Sequence, residues 1–269
     1  MNLVALSKSR LRDFVKLHQK KFRDLQGLFL AEGLRTVREL CLNLPDEEML
    51  VALLIREGEA DVARFAQTYK GKVFSLTEKE CDQLAQTSTS QGIFGVFRQQ
   101  LPKGYEGKEK PGHSLIVALD DVQDPGNVGT ILRTAVWFGA DAMICGVGTA
   151  DRYNAKVVRS CAGSIFALRH YGVEFLAHEL HRLQKLGYTI VCSSLEGEDF
   201  REFASWPEKM VLVIGNEANG ISEPVKAMAD LLVRIPHCGK KEQVESLNAS
   251  ISAAILMERL VLHLSLIHI

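Results

Sequence analysis

Apolar positions along this chain follow two periods that alternate. In the first hundred residues, Leu28–Ala31 and the runs MLVALLI (49–55), KVFSL (72–76) and IFGVFR (93–98) predict strands. Between them Leu34, Val37, Leu40 and Cys41 keep helical spacing over Leu34–Leu42, and residues 60–69 and 78–86 predict two more helices. Ahead of these, Lys8–Gln26 reads as one basic helix with a partial apolar face of Phe14, Leu17 and Phe22. TSTSQG (87–92) is a polar loop. LPKGYEGKEKPGH (101–113) is rich in Gly, Pro and charge and has no apolar period, which predicts a linker.

After the linker the apolar runs lengthen. LIVALDDV (115–122), AMICGV (142–147), YTIVCSSL (188–195), Val211–Ile214 and LLVRIP (231–236) predict five strands. Helices are expected over 124–140 after a turn, over most of 154–168, over 174–187, over 222–229 with Pro224 in the first turn, and over 245–262. Apolar strands alternating with helices argue an α/β domain whose mostly parallel sheet is covered on both faces. The expected organisation is a small α/β domain over 1–102, a linker over 103–113 and a larger α/β domain over 114–269.

Composition changes this picture little. The 269 residues are 46% hydrophobic and 24% charged, ordinary for a soluble globular protein. The net charge of −1 hides an asymmetry: residues 1–110 carry 18 Lys and Arg against 15 Asp and Glu, the remainder 14 against 18. Lys8, Arg10, Arg12, Lys16, Lys20, Lys21 and Arg23 face only Asp13 and Asp24. Such a cluster suits a phosphate backbone, and a solvated helix face has the same composition. The six cysteines have no metal-ligand spacing, so no zinc or other metal site is expected, and they read as reduced core residues of a cytosolic protein. The first residues contain no apolar run of signal-peptide length, and no stretch approaches a membrane span. The tail LVLHLSLIHI (260–269) is apolar; it predicts a last helical turn packed on a partner, or an extension foreign to the native chain.

Three polar spots lie at predicted strand ends in the second domain. In DVQDPGNVGTILRTA, Asp124-Pro125-Gly126 forms a turn, Asn127 suits the N-cap of the helix that follows, and Gly129 and Arg133, four apart, share a face. In VLVIGNEANGIS, a carboxylate and two amides sit between Gly215 and Gly220, at the carboxyl end of a buried strand where open α/β sheets place ligands; an ordinary β-turn accounts for the same residues. IPHCGKKEQVESLN leaves a strand and enters a helix at Ser246-Leu247-Asn248; Ser246 could cap it, although Ala249 is no capping-box partner. Glycine fingerprints for dinucleotides, a P-loop, HExxH and a nucleophile elbow are missing.

Asn-x-Gly-x-x-x-Arg-x-Ala (127–135), Ile-Gly-Asn-Glu-x-x-Gly-Ile-Ser (214–222), and Ile-Pro (235–236) followed by Ser-Leu-Asn (246–248) occur in this order. This conjunction closely resembles the SpoU, or TrmH, family of RNA 2′-O-ribose methyltransferases of the SPOUT superfamily. KFRDLQGLFLAEGLRTVREL and TSTSQGIFGVF resemble that family's N-terminal substrate-binding domain, itself similar to a small ribosomal RNA-binding protein.

The resemblance implies a deep trefoil knot in the C-terminal domain, a homodimer with the active site beside its interface, and S-adenosylmethionine as cofactor. Backbone groups of Gly215, Ile235 and Leu247 would hold its adenosine part. Asn127, Arg133, Glu217, Ser246 and Asn248 match the family's motif residues. The substrate would be a ribose 2′-OH of ribosomal or transfer RNA, bound in part by Lys16, Lys20 and Lys21, without metal or membrane. The family assigns proton abstraction to the arginine matching Arg133; a guanidinium ordinarily keeps its proton, so holding phosphate and stabilising a developing alkoxide stand beside that role. One departure is a loop, 239–244, about three residues longer than the family's usual one, which adds Lys240 and Lys241. A non-catalytic RNA-binding protein and a nucleotide-dependent α/β enzyme are the rival readings; the first lacks a reason for the three motifs, the second its glycine fingerprint.

Overall fold

Strands of the computed structural model form two sheets, one in each of two units: Met1–Gln100 with Asp151–Ala167, and Leu101–Ala150 with Leu168–Ile269. The structure describes residues 3–58, 64, 65, 69, 72–100, 104, 105, 113–239 and 245–265. Most of the expected helix over 60–69 and most of the linker lie outside these residues.

In the first unit the order is β1 (Val4–Ala5), α1 (Lys8–Lys16), α2 (Lys20–Gln26), β2 (Leu28–Glu32), α3 (Leu34–Leu42), β3 (Leu50–Arg56), β4 (Val73–Leu76), α4 (Glu78–Leu84) and β5 (Ile93–Arg98). Its sheet runs β1-β4-β3-β5-β2; β5 is antiparallel to β2 and β3, the other pairings are parallel. The single basic helix expected over Lys8–Gln26 is two helices. Arg23 fills the break: its Nη1 donates to the carbonyls of Leu17 and His18, both at 2.9 Å, taking acceptors that the end of α1 leaves open. Arg23 is buried and ion-paired with Asp151, so it drops out of the exposed basic cluster that composition suggested.

Asp151–Ala167, including α5 (Ala155–Ser160), belongs to this first unit although it follows a strand of the second. Tyr153 packs on Phe29 with centroids 4.9 Å apart, and its hydroxyl accepts from the Gln100 N–H at 2.7 Å. Phe166 closes the cluster against Phe29 and Phe97.

The second unit contains β6 (Ser114–Leu119), α6 (Pro125–Trp137), β7 (Ala142–Cys145), β8 (Arg169–Gly172), α7 (Leu176–Lys185), β9 (Thr189–Asp199), β10 (Lys209–Ile214), α8 (Glu223–Lys226), β11 (Leu231–Arg234) and α9 (Ala249–Ser265). Six parallel strands run β11-β9-β10-β6-β7-β8. The central strands β6 and β10 are nearly all buried, as continuous apolar runs require. Ile116, Ala118, Ile144, Val211 and Val213 pack with Leu176, Leu180 and Leu183 of α7 on one face. The sixth strand, β8, is RHYG; as a four-residue edge strand it carries no apolar run for periodicity to detect.

Cys41, Cys81, Cys145, Cys161 and Cys192 are buried and Cys238 is exposed; all are free thiols. Burial pushes Cys41, Cys81 and Cys161 up to about 11 and Cys192 up to about 12, so these four pack and do not serve as nucleophiles at neutral pH.

Candidate functional site

Strands β10, β6 and β7 end level: Ile214 stands opposite Leu119, and Leu119 opposite Cys145. The loops that leave them are therefore neighbours along one edge of the sheet. In the loop after β10, Asn216 and Gly220 form an antiparallel bridge, the N–H of each donating to the carbonyl of the other at 2.8 and 3.0 Å. Asn216 Oδ1 accepts from the N–H groups of Ala218 and Asn219 at 2.8 and 3.0 Å, which fixes the tip that carries Glu217. A Cβ on Gly215 would fall 2.5 Å from Gly220 O and from the Ile221 nitrogen. Glycine is thus required here because the hairpin closes on itself.

In the loop after β6, Asp120 accepts from the Ser222 N–H at 2.7 Å, tying the two loops together. The N-cap of α6 is Asp124, accepting from the N–H groups of Gly126 and Asn127 at 2.6 and 3.1 Å with Pro125 in the first turn. The sequence assigned that cap to Asn127. With Asp124 in the role, the Asn127 side chain is released for long-range partners. Its Nδ2 donates to Glu217 Oε1 at 2.7 Å, and its Oδ1 accepts from Asn248 Nδ2 at 3.0 Å.

Asn248 in turn caps α9: its Oδ1 accepts from the Ser250 N–H at 2.9 Å and from the Ser250 hydroxyl at 2.7 Å. The helix accordingly starts at Ala249, not at Glu245, and Ser246 is not its cap. The amide orientations follow from this network. Asn248 spends its oxygen on the helix start, so its NH2 must face Asn127, whose own NH2 is then left for the carboxylate.

Asn127, Glu217 and Asn248, one from each motif, are therefore brought together by hydrogen bonds. Gly215 belongs to the same hairpin, and Ser246 and Leu247 precede Asn248 directly. Among the described residues, neither the N–H nor the carbonyl of Gly215, Ile235 or Leu247 has a hydrogen-bond partner. Arg133 lies elsewhere on α6. Six residues after Asn127, it points about 120° away around a helix of ~3.6 residues per turn, and it is exposed. No described residue hydrogen-bonds or ion-pairs with its guanidinium. Residues 240–244, with Lys240 and Lys241, lie outside the described residues.

In the first unit, Lys16 pairs with Asp13 at 2.9 Å and Lys20 with Asp24 at 2.6 Å on their own helices. Lys21 is exposed and has no ion pair among the described residues. No group of three or more His, Cys, Asp or Glu among the described residues could hold a metal ion. No described helix is long and apolar enough to cross a membrane.

Two residues essential to this geometry carried no role in the sequence reading: Asn216, whose position between glycines at a strand end was a usable signal, and Asp121, for which no local signal exists. Asp121 O and Oδ2 accept from Asn216 Nδ2 at 2.9 and 3.0 Å.

The chain also matches known proteins. Residues 114–258 match the SpoU rRNA Methylase family, and residues 8–95 the MRM3-like substrate binding domain. Over 256 residues, 93% of this chain and 95% of the relative, the sequence is 31% identical to the 23S rRNA (guanosine(2553)-2'-O)-methyltransferase RlmP of Bacillus subtilis. It is 28% identical over 218 residues to the 23S rRNA (guanosine-2'-O-)-methyltransferase RlmB of Neisseria meningitidis, covering 77% and 85% of the two chains. The crystal structure of an AdoMet-bound rRNA methyltransferase from Sinorhizobium meliloti superposes with a TM-score of 0.80 at 29% identity over 97% of each chain.

Proposed function

Since this chain belongs to the SpoU rRNA methylase family, we propose that it transfers the methyl group of S-adenosylmethionine to a ribose 2′-OH of ribosomal or transfer RNA. The observation that carries this reading is the hydrogen-bonded series Glu217–Asn127–Asn248, which joins all three motifs at one edge of the parallel sheet. The backbone groups of Gly215, Ile235 and Leu247, without hydrogen-bond partners among the described residues, would hold the adenosine part of the cofactor, and relatives of this chain carry rRNA 2′-O-methyltransferase names.

S-adenosylmethionine, when bound, supplies a methyl group made electrophilic by the adjoining sulfonium. The chain must place a ribose hydroxyl in line with it and take up the proton. Positioning can lower the barrier by on the order of 7–11 kcal/mol at best. Glu217 and Asn248 are held in orientation by Asn127 and so would be pre-set to orient the ribose. Ser246, exposed ahead of Asn248, is available to the same ribose. Arg133, which has no hydrogen-bond or ion-pair partner among the described residues, would hold an RNA phosphate and stabilise the alkoxide developing at the 2′ oxygen, or assist its deprotonation.

The reading includes a homodimer. Trp137, one turn beyond Arg133, is 84% exposed, and Ile251 on α9, a helix packed on α6, is 50% exposed; a second copy would cover such side chains. It further includes a trefoil knot in the C-terminal domain, RNA binding by residues 1–102 through Lys16, Lys20 and Lys21, a linker over 103–113, a methyltransferase domain over 114–269, and a cytoplasmic location. The test is a map of ribose 2′-O-methylation in RNA from cells with and without this protein. One or more sites should vanish without it and return on incubation of that RNA with purified protein and S-adenosylmethionine. An unchanged map would overturn the reading.

A further inference from the structure

We infer that Asp121 is a positioning residue that anchors the Gly215–Gly220 hairpin for cofactor binding, an inference that rests on the S-adenosylmethionine reading. Asp121 holds a left-handed backbone, φ +58°, which a non-glycine residue rarely adopts and which clusters at functional turns. That conformation lets both its carbonyl and its carboxylate face one group, the Asn216 amide, at 2.9 and 3.0 Å. Gln123 Nε2 donates to both carboxylate oxygens at 3.1 Å, so a second side chain orients the carboxylate as well. No cation among the described residues pairs with it. On the β7 side, a Cβ on Gly148 would lie 2.8 Å from Asp121 Cγ and overlap its Oδ1, so that glycine leaves the space the carboxylate needs.

The clasp reaches the motif residues through a single side chain. With its NH2 held by Asp121, Asn216 must turn Oδ1 to the Ala218 and Asn219 N–H groups, and this sets the tip from which Glu217 meets Asn127. Asp121 is half-buried at a strand end, outside the apolar core, so its loss should loosen the hairpin and leave the sheet intact.

The test is calorimetric titration of S-adenosylmethionine into wild type, Asp121→Gly, Asp121→Asn, Asn216→Ala and the Asp121→Gly/Asn216→Ala double variant, each with thermal unfolding and amide hydrogen exchange. Glycine keeps the left-handed backbone without strain and removes only the clasp. Asp121→Gly should weaken cofactor binding about tenfold, or ~1.4 kcal/mol, with the unfolding midpoint nearly unchanged and faster exchange at Ala218 and Asn219. Asp121→Asn keeps an acceptor for Asn216 and tolerates the same φ, so it should restore most of the affinity. Asn216→Ala should match Asp121→Gly, and the double variant should bind no worse than the poorer single one, because both break one contact. Unchanged affinity and exchange in Asp121→Gly would overturn the inference. So would a broad loss of thermal stability that Asp121→Asn does not reverse. If wild type itself binds no cofactor, the cofactor reading falls, and exchange at Ala218 and Asn219 still decides whether Asp121 anchors the hairpin.

Discussion

The side-chain oxygen of Asn127 accepts from the Asn248 amide across 3.0 Å, although 121 residues separate the two in sequence. The same asparagine donates to Glu217, so a one-atom change tests the arrangement. Asn127→Asp keeps the size but turns an oxygen toward Glu217 where a donor stood at 2.7 Å. Losing this buried donor should cost about 1–3 kcal/mol of stability in urea unfolding. Displacing Glu217 and Asn248 should slow single-turnover methyl transfer about 100-fold or more. Wild-type stability and rate in this variant would remove the series from the site.

Gly215→Ala forces the hairpin open, because the new Cβ meets Gly220 O and the Ile221 nitrogen at 2.5 Å, all of them backbone that cannot step aside. The Asn216 and Gly220 amides, bridged in the wild type, should lose hydrogen-exchange protection, and cofactor affinity should fall with them. Retained protection with lost affinity would instead mean that the methyl group meets the ligand alone.

Arg133→Ala should lower turnover strongly at near wild-type cofactor affinity if the guanidinium acts in the transition state. Arg133→Lys separates its roles. Lysine keeps the charge and loses the planar fork. Recovery of much of the rate would mean that charge on a phosphate suffices; a rate as poor as alanine's would mean that fork geometry matters. Both variants need their folding and oligomeric state checked, since Trp137 shares the exposed face of α6. A wild-type rate for Arg133→Ala would remove it from the catalytic machinery.

Because Lys16 and Lys20 already face Asp13 and Asp24, Lys21 should dominate phosphate binding among the three lysines. Lys21→Ala should lower the slope of log affinity against log salt by about 1, and adding the other two replacements should change it little further. A proportional drop with each lysine would show that the helix carboxylates let go when RNA binds.

What could be read from the sequence was whatever depended on neighbours along the chain. Helix α3 coincides with its predicted span, Leu34–Leu42, because its buried Val37, Leu40 and Cys41 repeat at helical spacing. The buried strands β6 and β10 announced themselves as unbroken apolar runs. Strand β8 did not, since an edge strand needs little apolar surface. The three motifs were visible as words, but not their hydrogen bonds. Nothing near Asn127 tells that Asp124 takes the helix cap, and so nothing tells that the asparagine is available to Glu217 and Asn248. The break between α1 and α2 was equally hidden, because the group that fills it, Arg23, looks like one more surface cation until Asp151 is seen beside it.

That partnership makes the first unit a mosaic of two separate stretches of gene. Grafting residues 1–100 onto another enzyme would leave behind Tyr153 and Phe166, which pack on Phe29, and the carboxylate that neutralises Arg23. An orphaned buried guanidinium alone can cost about 3–5 kcal/mol, a large share of a small domain's stability. Exchange of the first unit between relatives should therefore succeed only when residues 151–167 travel with residues 1–100, and lineages that recombine these genes are expected to inherit both stretches from the same parent.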